Sequence, residues 1–184
     1  MIRPIYLYGS KVLREVAPEA DLTKKEEIAA LVQDLKDTLK SSEGCGLAAP
    51  QIGVSSRVLI VDGDAVADNY PYLKGFRRTM INPVLVSEGE GRREFSEGCL
   101  SVPGVYGDVL RPESITVEYY DETLTKRRET FDKFGCRMIQ HEMSHLDGVL
   151  FTDLLAPIRR KIVARKIQRV AAGKVATAYQ SKIK

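Results

Sequence analysis

The sequence predicts an α+β fold, with mixed antiparallel strands around a buried central helix and an amphipathic helix at the C-terminal end. Three observations point to it. Residues 24–41 carry Ile28, Leu31, Val32, Leu35 and Leu39 at helical spacing. β-rich runs occupy the middle of the chain, and two more helical patterns, 132–147 and 158–172, follow them. A chain of 184 residues, 43% apolar and 29% charged, has the size and composition of one globular domain. Residues 1–184 are expected to form it, with 157–184 as a basic helix and tail.

Taken in order, Thr23-Lys24-Lys25-Glu26 reads as a capping box that starts the first helix. Ser41 to Gly46 ends it, and Gly44-Cys45-Gly46-Leu47-Ala48-Ala49-Pro50-Gln51-Ile52-Gly53 reads as a loop of small residues. Val58 to Val61 reads as a buried strand, and the polar, glycine-bearing stretch 62–78 as a surface loop. Met80 to Val86 is a second strand, which Pro83 places at a sheet edge. Phe95 to Gly104 carries glycines on either side of Cys99. Ile115 to Tyr120 and Thr123 to Phe131 form a hairpin around Asp121-Glu122. In helix 132–147, Phe134, Met138, His141 and His145 share one face, and Gly148 fits the stop. In 158–172, Ile158, Ile162, Ile167 and Val170 are expected to point inward and the arginines and lysines mostly outward.

Charge is unevenly placed. Residues 1–153 hold 19 basic and 25 acidic side chains, whereas 154–184 hold 9 basic and none acidic. A tail of that kind suits a polyanionic partner, nucleic acid or an anionic surface, or else a solvated helix face. No apolar run approaches the roughly 20 residues of a transmembrane helix, and Met-Ile-Arg-Pro-Ile-Tyr does not open like a signal peptide. A cytoplasmic protein is expected. Its three cysteines, Cys45, Cys99 and Cys136, are then free thiols.

The chemistry concentrates at His141-Glu142-Met143-Ser144-His145, an H-E-x-x-H pattern that uses the only two histidines in the chain. On a helix, positions i and i+4 face the same way, so two imidazoles can meet one metal ion, with Glu142 beside them as a general base. A catalytic site with three protein ligands needs one more. A third histidine at 151 is impossible, since Phe151 stands there, and no Glu follows position 142. Asp147 and Asp153 lie close to the helix end and read as capping or turn residues. The third ligand should therefore come from upstream. Cys99 is the best candidate and Cys45 the second, while Cys136 lies about 140° around the helix from His141 and reads as a buried apolar thiol. In the other glycine loop, Gln51 has an amide that could donate to a developing oxyanion, against the plainer reading of a tight turn.

Three segments coincide: Gly44-Cys45-Gly46-Leu47-Ala48-Ala49-Pro50-Gln51, Glu97-Gly98-Cys99-Leu100-Ser101 and His141-Glu142-Met143-Ser144-His145. In this order and spacing the chain resembles the peptide deformylases, from about residue 4 to the tail. The resemblance implies an amidohydrolase that removes the formyl group from the N-terminal formylmethionine of nascent polypeptides and releases formate. It implies Cys99, His141 and His145 as metal ligands, Glu142 as general acid and base, and Gln51 with the Leu100 N–H as oxyanion donors. Gly46 becomes a backbone partner of the substrate, and Cys45, Phe95, Phe134 and Met138 candidate walls of a methionine pocket, or simply core. The implied cofactor is one divalent ion, Fe(II) in the cell, with Zn, Ni or Co able to replace it. Glu97 and Arg111 match a pair that supports the metal loop.

The implied partner of the basic tail is the ribosome, rather than DNA or a membrane. Removing 157–184 is expected to weaken that association and to spare turnover of a short peptide. Two departures stand out: Ser144 where many members have Asp, and Tyr106 where several have Arg. A metallopeptidase using the same H-E-x-x-H site is the alternative.

Overall fold

The computed structural model describes residues 1–183; Lys184, the last residue of the expected basic tail, lies outside the described residues. Its centre is a five-stranded antiparallel sheet in the order β2 (Gly46–Ala48), β3 (Val58–Asp62), β4 (Arg77–Glu88), β7 (Ser114–Tyr120), β8 (Lys126–Asp132). Helix α1 (Lys25–Ser42) packs on one face of it and α2 (Lys133–Leu146) on the other. Alternation along β3 makes this possible: Val58 and Ile60 meet the α1 residues Val32, Leu35 and Leu39, while Leu59 and Val61 meet Met138 and Ile139 of α2. With both faces covered, the strand must be apolar throughout, which is why Val58 to Val61 reads as a continuous run.

Outside the sheet, β5 (Arg92–Cys99) and β6 (Val102–Pro112) form a separate antiparallel hairpin. Val102, Val105 and Val109 of β6 pack with Leu150, Phe151 and Leu155 and with Val163 and Ile167 of α3 (Pro157–Ala171). The chain then returns to its own beginning: β9 (Ser181–Lys182) pairs in parallel with β1 (Ile5–Tyr6).

The three expected helices and the 115–131 hairpin are present, the hairpin turn being held by Asp121 Oδ1, which accepts from the backbone N–H groups of Thr123 and Thr125. Four local expectations change. Thr23 does not cap α1, because its N–H and its Oγ1 both donate to Asp21 Oδ1, at 3.0 and 2.7 Å. β4 is central rather than an edge strand. Pro83 is tolerated because the β3 pairing stops at Ile81 and the β7 register slips between Ile81 and Val84, so no ladder bond is asked of it. Stretch 62–78 is more than a polar surface loop: it makes two short 3₁₀ turns, and Leu73 is buried in the α2-side core.

The fourth change concerns α3, where Val163, Ile167 and Val170 form the buried stripe and Ile158 and Ile162 are 75% and 65% exposed. Those two lie about 140° and 100° around the helix from Val163, which packs with the β6 valines. The buried stripe also revises the expectation that 157–184 can be removed with turnover spared, since the segment helps close a core. We predict that Ile167→Ala lowers the unfolding free energy by about 2 kcal/mol, whereas Ile162→Ala changes it by less than about 0.5 kcal/mol. Urea titration of both variants measures this.

Candidate active site

Helix α2 and the β5–β6 hairpin bring the site together. Cys99 is the last residue of β5, opposite Val102, and Leu100 and Ser101 make the tight turn between the strands. This hairpin delivers Cys99 to the α2 face that carries His141 and His145. The ligating atoms of the three residues all lie within 4.8 Å of one another, and Cys99 Sγ is 3.3 Å from His145 Nε2. Among the described residues they are the one cluster of metal-ligand type that includes either histidine. Cys45 does not join it. Burial, then the nearby Glu142 carboxylate, pushes the Cys45 thiol up to about 12, so it stays protonated. Cys136 is fully buried and accepts from Gln140 Nε2, as expected for a structural thiol.

Behind the cluster sits Glu97, 4% exposed. Its carboxylate accepts from Arg111 Nε and Nη2 at 2.6 and 3.0 Å, from Arg137 Nη1 at 2.9 Å and from His141 Nδ1 at 2.8 Å. Burial opposes its charge, but the bonds from His141 and Arg111 hold it well below the ordinary carboxylate range. Because Glu97 occupies Nδ1, His141 turns Nε2 toward Cys99. Burial likewise disfavours a charged His141, yet its contacts with Cys99 and Glu97 raise it to about 10; His145, buried beside that charge, falls well below its usual value.

The Glu97–Arg111 pair is therefore as expected, whereas nothing in the sequence marks Arg137, because an arginine on a helix gives no sign of burial. Ser144 also finds its place: its Oγ accepts from Arg111 Nη1 at 3.0 Å and donates to the Gln140 carbonyl at 2.9 Å. Phe151, barred as a ligand, stacks on His141 with ring centroids 6.1 Å apart.

Glu142 is buried, and burial lifts its carboxyl to about 7. Its Oε2 has no hydrogen-bond partner. Its Oε1 lies against Gly46, where an added Cβ would stand 2.5 Å from it, so only glycine lets β2 pass this close. Gln51 Oε1 accepts from the Ala48 N–H at 2.9 Å, which fixes the amide: Nε2 points to Ser101 Oγ at 3.2 Å and Cys99 Sγ at 3.5 Å.

Glu142, Gln51, Cys99 and His141 line a groove of about 420 Å³ with Cys45, Gly46, Leu100, Phe134, Met138 and Tyr179, while the buried His145 is not on its wall. Phe95 is not on its wall; it packs behind Phe134, at 5.2 Å between ring centroids. Tyr70 from stretch 62–78 stacks on the same ring at 4.3 Å. Tyr106, 62% exposed, stands at the mouth, with its ring over Gly98. A larger cleft of about 1170 Å³ lies between α1 and the β7–β8 side of the sheet, away from this cluster, and its arginines are largely paired, Arg77 with Asp62 and Asp64 and Arg78 with Glu129.

The residues fit a divalent metal. One thiol and two imidazoles lie within 4.8 Å of one another, a donor set of the kind that holds Fe, Co, Ni or Zn, and Glu142, with one buried carboxylate oxygen unpartnered, lies close enough to His141 for the two charges to interact. This fold and this site define a metal-dependent hydrolase of the H-E-x-x-H type.

The comparisons make the class particular. The polypeptide deformylase family model matches residues 2–161. The peptide deformylase of Flavobacterium psychrophilum is 40% identical, with 100% of this chain and 97% of that protein covered. That of Chlorobaculum parvum is 40% identical, covering 97% and 93%. Among solved structures, a peptide deformylase from Legionella pneumophila superposes with a TM-score of 0.82 at 35% identity, over 95% of this chain and 98% of that one. The Thermus thermophilus enzyme gives 0.82 at 35% identity, over 94% and 99%. The chain belongs to the polypeptide deformylase family.

Glu97→Ala would leave Arg111 and Arg137 buried without their carboxylate. We expect it to cost about 3 kcal/mol or more of stability and to weaken metal binding by about 10- to 100-fold. Denaturant unfolding and competition with a chelating dye report the two effects separately.

Proposed function

We propose that this chain is the hydrolase that removes the formyl group from N-terminal formylmethionine of nascent polypeptides and releases formate. The reading rests on the convergence of Cys99, His141 and His145, with the Gln51 amide 3.5 Å from Cys99 Sγ and Glu142 on the wall of the same groove. Cys99, His141 and His145 hold the metal, Fe(II) in the cell, with Zn, Ni or Co able to replace it. When bound, the ion supplies Lewis-acid polarisation of the formyl oxygen and brings the pKa of water toward neutrality.

The protein groups divide the remaining work. Glu142 takes a proton from the attacking water and passes it to the leaving amine, and its raised pKa suits both tasks. Gln51 Nε2 and the Leu100 N–H donate to the oxygen on which charge develops. The Gly46 backbone, at the groove edge, pairs with the substrate peptide in strand fashion. Cys45, Phe134 and Met138 form the pocket for the methionine side chain, with Phe95 supporting Phe134 from behind. Because the pocket receives a neutral, flexible thioether, an apolar wall that keeps the Cys45 thiol protonated is suited to it. A metallopeptidase reading is not favoured, given the family of the chain.

We also place the enzyme in the cytoplasm, where its nascent-chain substrates emerge. Among the described residues no helix is long and apolar enough to cross a membrane. Lys161, Arg165 and Lys166 form an exposed basic face on α3, supporting a ribosomal RNA partner. The whole chain acts as one catalytic unit, because its tail returns to the groove through Tyr179.

Anaerobically purified protein should release formate from formyl-Met-Ala and leave unformylated, internally cleavable peptides intact. Cys99→Ala should lose bound metal and formate release together; full retention of both would overturn the ligand set. Glu142→Gln should keep its metal and lose about 10²- to 10⁴-fold in kcat. Replacing Lys161, Arg165 and Lys166 by Gln should weaken ribosome co-sedimentation and flatten its log–log salt dependence by about 2, with turnover of formyl-Met-Ala unchanged.

A further inference from the structure

The C-terminal return is built into the active-site turn. Tyr179, two residues before β9, donates its phenolic O–H to the Leu100 carbonyl at 2.6 Å, and its side chain lines the groove. The segment that carries it is tied down on both sides. The Ile5 N–H donates to the Gln180 carbonyl at 2.8 Å and the Leu7 N–H to the Lys182 carbonyl at 2.9 Å. Thr177 Oγ1 donates to the Tyr179 carbonyl at 2.7 Å, and Lys182 Nζ lies 4.4 Å over the Tyr6 ring. The chain continuing from β1 then grips the same turn, with the Tyr8 N–H donating to the Ser101 carbonyl at 2.7 Å. The two ends of the chain thus clamp the Leu100–Ser101 turn together.

The consequence follows from peptide geometry. A trans peptide unit is planar, so its C=O and N–H point in opposite directions. Holding the Leu100 oxygen on Tyr179 therefore aims the Ser101 N–H the other way, at Cys99 Sγ, 3.4 Å off. With Cys99 fixed opposite Val102 and the next peptide plane fixed by Tyr179, the backbone on both sides of Leu100 is set. We infer that Tyr179 is a positioning residue for deformylation, its phenol holding the turn so that the Leu100 N–H stays aimed at the formyl oxygen. This rests on the function proposed above. Burial, followed by the nearby Cys99, raises the phenol to about 12, so it remains a donor across the neutral range. The family match ends at residue 161, before this segment begins.

Tyr179→Phe keeps the ring and removes only the hydroxyl. In the full-length, metal-loaded enzyme we expect kcat for formyl-Met-Ala to fall about tenfold, with KM and metal content unchanged. Tyr179→Ala, which also removes groove wall, should lower kcat similarly and raise KM. In amide hydrogen exchange, Tyr179→Phe should speed exchange at Leu100 and Ser101 and leave α2 unaffected. A kcat within twofold of wild type, with unchanged exchange at the turn, would overturn the inference while wild-type turnover upholds the deformylase function. Failure of the wild-type protein itself to release formate would instead overturn the proposed function.

Discussion

The Glu97 carboxylate is the constraint on which the site depends. It is buried, it is charged, and it accepts from three side chains on two elements: Arg111 of β6, and Arg137 and His141 of α2. A buried carboxylate with fewer partners would be costly. Since Glu97 lies two residues before Cys99 on β5, satisfying it docks the hairpin on α2 at one register. The same bonds turn the His141 ring and present Cys99 to it. Arg137 secures the arrangement by donating also to the Val109 and Arg93 carbonyls, one on each hairpin strand. Fold and proposed chemistry are thus coupled at one group: the contact that seats the hairpin also orients His141, one of the residues that would hold the metal.

Around that contact, several positions are shaped by clearance rather than attraction. Gly46 is glycine because Glu142 lies where its side chain would be, and the Tyr106 ring lies over Gly98. Gln51 gives its carbonyl oxygen to the Ala48 N–H and so keeps its amide donors toward Cys99 and the groove. Gly46, by clearing Glu142, and Gln51 each leave a polar group set at the groove, which is the condition for stabilising charge that develops only in a transition state.

Much of this was legible in the sequence, for physical reasons. Helices α1 and α2 announce themselves because their buried residues recur every three or four positions. His141 and His145 were legible for the same reason, and Cys99 because the acid-poor tail offers no carboxylate ligand beyond Asp153. Hairpin β5–β6 was not, since Glu97 alone of the β5 residues is buried, and a strand without an apolar face has no alternation to read. Pro83 misled because a bulge can remove the demand for an N–H inside a central strand. On α3, two apolar stripes compete in the sequence, and which one is buried depends on a hairpin elsewhere in the chain. The role of Tyr179 was equally invisible, depending on a two-residue strand pairing between the two ends. The basic tail read as a partner-binding appendage also packs, through Val163 and Ile167, against the β5–β6 hairpin and, through Tyr179, bonds to its turn.

Under the proposed function, Cys99, His141 and His145 would hold the metal through one sulfur and two imidazole nitrogens. X-ray absorption spectroscopy of the anaerobically prepared, metal-loaded enzyme tests it directly. The expected spectrum shows one sulfur and two histidine nitrogens, plus a light atom that changes when a formyl-oxygen mimic is added. A second sulfur, or a shell with no sulfur at all, would contradict it.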